Sequence, residues 1–370
     1  MTRLPRALHP GAWWLWALGL AAAASRTTNP LLLALVVVVA WVVVASRRGD
    51  APWAFAFRYY LWAGLFVVVS RVFFRVVFGG GYGEVILVTL PAVQLPEWAA
   101  GLRLFGPVAA EQVLGGLYEG MRLAAMLVCL GAANALADPK RMLKAVPGAL
   151  YEVGTAVVVA LSVAPQLVES ALRVRRARRL RGGRQRGLRA LRGIAMPVLV
   201  DALDRSLALA AAMDSRGYGR SAGVSRRGAG ALVVGGLLGI CVGVYGVLDG
   251  TAPRYLGLPM LLLGLVVAGI GLPAAGRRVR RSVYRPDRWQ SAETLVAASG
   301  LTAAAMLIGT SRVDAADLYP SLTPLSWPGL PLAGTLGVLV AVLPAWLSPP
   351  PPTAVRPVAD AGRVPVGAAR

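Results

Sequence analysis

The sequence predicts an all-α, polytopic integral membrane protein, and three observations carry that prediction. Hydrophobic residues make up 56% of the 370 and charged residues only 15%, well below the quarter or so that a soluble protein carries. Several apolar runs reach about 20 residues, enough at ~1.5 Å per residue to cross ~30 Å of hydrocarbon. Backbone groups in lipid must hydrogen-bond within their own segment, so such runs are helices. The remaining charge is gathered into arginine-rich loops and leaves a net +22, the distribution expected when basic loops stay in the cytoplasm.

Taken in order, the first run, 11–25, follows Arg3 and Arg6 and ends in small residues, as a secretory signal does. A second run, 28–46, follows within a few residues, so a short first membrane helix is the preferred reading. Its stretch from Leu32 to Val44 is almost wholly aliphatic, and its β-branched content does not argue for a strand at that length. A third span, 53–77, is the least lipid-like because it carries Arg58, Arg71 and Arg75, whose stems snorkel from the ends or, for Arg71, face a protein partner. Residues 84–105 are mixed in character and are expected to dip into the interface. The next span is 106–136, on which Glu111 and Glu119 stand eight residues apart and are expected to face a partner or a cavity. Two hairpins follow, 229–248 with 255–275 and 292–309 with 328–347. The tail from Ser348 contains four consecutive prolines and reads as disordered.

The domain reading is therefore an N-terminal transmembrane region 1–164, cytoplasmic helices 165–220, C-terminal transmembrane hairpins 221–347, and a Pro-rich tail 348–370. From Arg173 to Arg192 there are ten arginines and no acid. Further clusters precede and follow the 229–275 hairpin, from Arg216 to Arg227 and from Arg277 to Arg288. The positive-inside rule makes all three cytoplasmic and puts the C-terminus there too. One segment resists this scheme. Residues 149–164 are apolar enough to span, yet Lys140, Arg141 and Lys144 before them look cytoplasmic like the arginines after them. Either the segment does not cross fully or the smaller cluster lies outside.

Residues 165–217 are the most informative. Gln166 to Leu180 lacks glycine and proline, with Pro165 just before it, and Leu167, Ala171, Val174 and Ala177 or Arg178 form an apolar stripe. Glu169 and Arg173 are spaced as an i,i+4 pair, and Gly182 with Gly183 supplies a stop. A second helix opens at Met196-Pro197 and runs to Ser215. Leu199, Leu203, Leu207, Ala210 and Met213 form its apolar face, with Asp201 and Arg205 paired on the other. Both helices finish alike: Leu180-Arg181-Gly182 and Ser215-Arg216-Gly217. An arginine and a glycine at a helix C-terminus are an ordinary cap. Two such ends on neighbouring helices also offer guanidinium forks suited to carboxylates on a partner protein.

Here the sequence resembles a family. The stretch Ala164-Pro165-Gln166-Leu167-Val168-Glu169, the arginine-rich helix to Leu180-Arg181-Gly182, and Ala212-Met213-Asp214-Ser215-Arg216-Gly217-Tyr218-Gly219 are similar to the transmembrane T component of energy-coupling factor transporters. The branch is the one that includes the cobalt-transport permease CbiQ, and the resemblance covers about 105–220. It implies that 165–220 are coupling helices, ending in two short Ala-Arg-Gly motifs that dock on a pair of cytoplasmic ABC ATPases. The matching positions are Leu180, Arg181, Gly182 and Ser215, Arg216, Gly217; alanine is replaced in both, arginine and glycine are kept. It further implies a small substrate-binding membrane subunit as partner, uptake of a vitamin or transition-metal ion, and a multi-pass location in a bacterial cell membrane. The family's typical five or so spans leave the hairpins after 229 as an extension.

Other classes fit less well. No Gly-x-x-x-x-Gly-Lys-Ser/Thr loop occurs, so ATP is hydrolysed elsewhere. A lipid or prenyl transferase is the alternative, but such enzymes need clustered acids for magnesium and diphosphate. Here Glu111, Glu119, Asp138, Glu152, Asp201 and Asp204 are scattered. With His9 the only histidine, and Cys129 and Cys241 both inside apolar runs, neither a histidine–cysteine metal centre nor a disulfide framework is expected. No catalytic residue, cofactor or metal is assigned. The arginine run suits anionic lipid headgroups, while 166–217 lack the aromatics that stack on bases, so nucleic acid is not expected.

Overall fold

The computed structural model describes residues 6–49, 55–78, 83–91, 93–94, 103–144, 151–181, 188–217, 227–248, 253–276, 287–313 and 315–351. The helices are α1 (Pro10–Ser25), α2 (Pro30–Arg47), α3 (Phe57–Phe78), α4 (Ala110–Leu136), α5 (Pro139–Lys144), α6 (Tyr151–Leu180), α7 (Leu188–Ser215), α8 (Arg227–Leu248), α9 (Leu258–Gly276), α10 (Ser291–Val313), α11 (Leu332–Val340) and α12 (Pro344–Leu347). Among the described residues, six helices are long and apolar enough to cross a membrane: α2, α3, α4, α10, most of α6 (Val153–Leu180) and most of α8 (Gly230–Leu248). Leu258–Ala274 and Leu332–Leu347 are shorter apolar helices. The protein is a multi-pass helical membrane protein. It divides into two compact units, 1–142 with 286–370, and 143–285.

In the first unit α1 is the central helix, with Trp16, Ala17, Leu20, Ala23 and Ala24 wholly buried. It runs parallel to α10, and Gly19 meets Gly300 so closely that a Cβ on either would run into backbone of the other helix. In lipid, helices gain little from hydrophobic burial against each other, and small residues let dispersion contacts between backbones take over. At the start of the pair, the carboxylate of Glu293, fully buried, accepts from the Arg6 guanidinium, from His9 N at 3.3 Å and from Gln290 N at 3.2 Å. The near face is defined by that end.

α2 returns from the far face. Asn29 starts it: its Oδ1 accepts from Leu31 N at 2.9 Å and from Leu32 N, and Pro30 occupies the first helical position. The same side chain donates through Nδ2 to Asp317 O at 2.8 Å and Gly329 O at 2.5 Å, tying α2 to the loop after α10. α2 ends at the near face, where Arg47 donates to Ala345 O at 2.7 Å. The expected single span 328–347 is broken at Ala341–Leu343, between α11 and α12. Trp16 Nε1 donates at 2.9 Å to the Ala341 carbonyl that the break frees. The hairpin α10–α12 is thus built into the core with α1 and α2.

α3 and α4 form an antiparallel pair, with Gly64 against Ala124 and Gly131 against Tyr60. Between them the chain does not simply dip, as expected for 84–105. It forms two short antiparallel ladders, β1 (Ile86–Thr89) with β4 (Pro107–Ala109) and β2 (Val93–Gln94) with β3 (Arg103–Leu104). At the near face Arg141 of α5 bonds both carboxylate oxygens of Asp287, just before α10.

The second unit holds two helical hairpins. In α8–α9 the expected spans 229–248 and 255–275 are found within a residue or three, with Gly236 against Ala268 and Gly239 against Gly264. In α6–α7 the expected boundaries move. Pro165 does not open a helix but lies inside α6, so 149–164 and 166–180 merge into one helix of 30 residues. Pro197 likewise lies inside α7, which begins at Leu188 rather than Met196. The tail beyond 351 lies outside the described residues.

Candidate functional site

The α6–α7 hairpin is antiparallel, and its register is set by polar side chains on the facing surfaces. Ser170 Oγ donates to Asp201 Oδ2 at 2.6 Å. Arg205 donates to both oxygens of Asp201, at 3.0 and 3.2 Å, and to Gln166 Oε1 at 3.3 Å. The Ser170 hydroxyl bond, with the Arg205 and Arg173 charges, holds the Asp201 carboxyl below the usual carboxylate range. The Asp201–Arg205 pair is the one the sequence suggested. The Glu169–Arg173 pair is not formed among the described residues; Arg173 instead contributes to the field at Asp201.

The apolar stripes fare differently on the two helices. Leu167, Ala171 and Val174 are half-buried on α6, as a stripe facing its partner should be. On α7 the expected apolar face points away from α6, with Leu199, Leu203 and Leu207 all more than half exposed. The reason is chemical: Asp201 and Arg205 find hydrogen-bonding partners in Ser170 and Gln166 on the facing side, and leucines find none there. Ser170 and Gln166 were missed as functional residues. Ser170 lies one step from Ala171 on the α6 stripe, a polar side chain on an inward face, and that was the available signal.

Both predicted arginine ends are exposed. Leu180 closes α6 at 90% exposure, and Arg181 follows with its N–H on Ala177 O at 3.2 Å. Gly182 lies outside the described residues. At the other end Ser215 Oγ donates to Ala212 O at 3.0 Å. Arg216 N donates to Met213 O at 3.2 Å, and Gly217 N to Asp214 O at 2.9 Å. Gly217 has φ of 76°, the left-handed conformation that ends a helix and that glycine adopts without strain. The antiparallel register does not bring the two motifs together; it puts them at opposite ends of the hairpin.

A second polar site lies at the far face of the first unit. Glu119 of α4 holds Arg75 at 3.2 Å and Arg71 at 3.7 Å, both from α3. These arginines therefore face a protein carboxylate. Arg58, in contrast, lies over the Tyr59 ring at 5.0 Å. Glu111 Oε1 accepts from Glu84 N at 3.1 Å and Val85 N at 3.0 Å, fixing the entry to β1. Glu111 and Glu119 line one cleft of about 270 Å³, the cavity that their spacing suggested.

Among curated proteins, no sequence matches this chain. The model of the cobalt transport protein family, CbiQ, matches residues 1–225, which is α1 to α7 and reaches well N-terminal of the 105–220 that carried the resemblance. It gives no support to a lipid or prenyl transferase. The family is one of transport components, and with more than half of the chain matched, the protein belongs to the cobalt transport protein (CbiQ) family.

Proposed function

We propose that the chain is the transmembrane coupling subunit of an energy-coupling factor importer in a bacterial plasma membrane. It transmits ATP-driven motion from two cytoplasmic ABC ATPases to a small substrate-binding membrane subunit that carries a vitamin or a transition-metal ion. The observation that carries this reading is the clamped antiparallel hairpin α6–α7 with an exposed arginine at each end. About 26 residues of α7 separate the level of Arg181 from Arg216, or ~40 Å at 1.5 Å per residue. In this reading each guanidinium serves a different ATPase. The Ser170–Asp201–Arg205–Gln166 network makes the two helices move as one body, so a change in the spacing of the ATPases is felt along the whole hairpin.

Chain continuity supports a common face for both arginines. Because Arg141 holds Asp287 at the near face, the segment between them leaves and returns on one side and crosses an even number of times. α8 and α9 supply two crossings. α6 and α7 then cross together or not at all, although α6 alone is apolar enough. α7 carries Arg192, Asp201, Asp204, Arg205 and Asp214, each costly at the bilayer centre. The hairpin therefore lies along the surface, with the exposed Leu199–Leu203–Leu207 face suited to the interface. Lys140, Arg141 and Arg288 mark the near face as cytoplasmic by the positive-inside rule.

The test is co-purification from native membranes. Tagged wild-type protein brings down two P-loop ATPases, and the double variant Arg181→Glu with Arg216→Glu loses them. A wild type that brings down no ATPase removes the basis of the proposal.

A further inference from the structure

The far-face cleft in the first unit is not used by the coupling reading, and its polar atoms are left incomplete. Glu111 is only 6% exposed. One carboxylate oxygen takes two backbone N–H donors, while Oε2 has no hydrogen-bond partner among the described residues. Its neighbour Gln112 also keeps Oε1 buried and without a partner. A buried acceptor left unsatisfied costs free energy, and a carboxylate oxygen more than an amide. Both side chains line the same cleft of about 270 Å³, with Thr28, Arg75, Tyr118, Glu119, Pro320 and Leu322 on its walls.

The pairing of the charges, rather than their sum, selects the ligand. Arg75 is itself a wall of the cleft and Arg71 lies one turn away on the same helix, but both are paired with Glu119. Of the two carboxylates that line the cleft, Glu111 has no cation partner among the described residues. No group of three or more His, Cys, Asp or Glu able to hold a metal ion exists among the described residues, so direct metal coordination is not what the donor set offers. The lining instead pairs an acidic corner with the Tyr118 ring and the apolar Pro320 and Leu322. That combination suits a molecule with a donor-rich positive head and a small apolar body. The cleft has room for several waters, and so for a compact amine.

The geometry points to a binding site for a small organic ammonium ion, its N–H donors on Glu111 Oε2 and Gln112 Oε1 and its apolar part against Tyr118 and Leu322. The site lies at the end of the first unit's bundle opposite Arg141–Asp287. It stands or falls independently of any ATPase partner.

The experiment is calorimetric titration of benzylamine into full-length protein in phosphatidylcholine nanodiscs, against empty nanodiscs, with benzyl alcohol and calcium chloride as comparison titrants. The expected result is saturable benzylamine binding at one site and none for benzyl alcohol. Glu111→Gln keeps an oxygen for the Glu84 and Val85 amides and is expected to weaken binding about tenfold or more. Gln112→Leu, which removes a different acceptor, is expected to weaken it severalfold and decides the matter if the first variant does not fold. Benzylamine binding that is absent, or equal in wild type and in the folded variants, overturns the proposal. So does saturable calcium binding without amine binding.

Discussion

The guanidinium of Arg141 spans both carboxylate oxygens of Asp287, with Nε on Oδ2 at 2.9 Å and Nη2 on Oδ1. These residues are 146 apart in sequence, and the whole second unit lies between them. The contact makes the topology of an ambiguous stretch into a matter of parity. With Cys129 and Cys241 replaced by alanine, single cysteines at Lys140 and at Trp289 are expected to react with a membrane-impermeant maleimide from the same side, and one at Glu84 from the other. Opposite labelling of Lys140→Cys and Trp289→Cys contradicts the contact.

The approach of Gly19 to Gly300 leaves no room for a side chain. Gly300→Leu is expected to destabilise the protein in detergent by about 3 kcal/mol or more, since overpacking a close helix contact forces the backbones apart. Gly309→Leu on the same helix, where a Cβ meets nothing within 4 Å, serves as the control. Thermal unfolding followed by loss of monodisperse elution measures both.

The C-terminal hairpin α10–α12 lies beyond the family match yet supplies partners to Arg6, Trp16, Asn29 and Arg47. A chain ended after residue 285 is expected to lose the first unit's packing, not merely an appendage. Size-exclusion chromatography of the truncated protein checks this: a stable, monodisperse product shows that α10–α12 are dispensable.

The hairpin clamp carries a pH signature. The folded-state pKa of Asp201 lies below its unfolded value of about 3.9. Its contribution is therefore full above that value and is lost as pH falls through the lower, folded one. Spin labels at Val168 and Leu203, exposed on α6 and α7, are expected to keep one narrow distance from neutral pH to about pH 4 and to broaden below it. In Asp201→Asn the acid-dependent step disappears, and Ser170→Ala shifts it toward higher pH. A distance that broadens identically in wild type and Asp201→Asn contradicts the assignment.

Much of the fold was legible because lipid makes strict demands. Runs of aliphatic residues such as Leu32 to Val44 have no other stable form there, and α2, α8 and α9 appear within a few residues of where hydropathy put them. The prolines misled. Pro165 and Pro197 read locally as helix starts, but a hairpin partner holds each helix through its proline. The β ladders at 86–109 were hidden because the solvent-facing run Ile86-Leu87-Val88 has no alternation to betray a strand. At the candidate site the exposed arginines and Gly217 were readable as helix ends. Their separation was not, since it depends on the register that Ser170 and Asp201 set across the hairpin.

The central claim is that Arg181 and Arg216 each meet an ATPase on the same side of the membrane. Photocrosslinking tests it most directly, with benzoylphenylalanine placed singly at Leu180 and at Ser215 in protein expressed in its native membrane. Crosslinks from both positions to P-loop ATPases, formed inside intact cells and absent from mock-labelled controls, are the predicted result. Crosslinks from one end only, or from neither, contradict the two-ended docking of the α6–α7 hairpin.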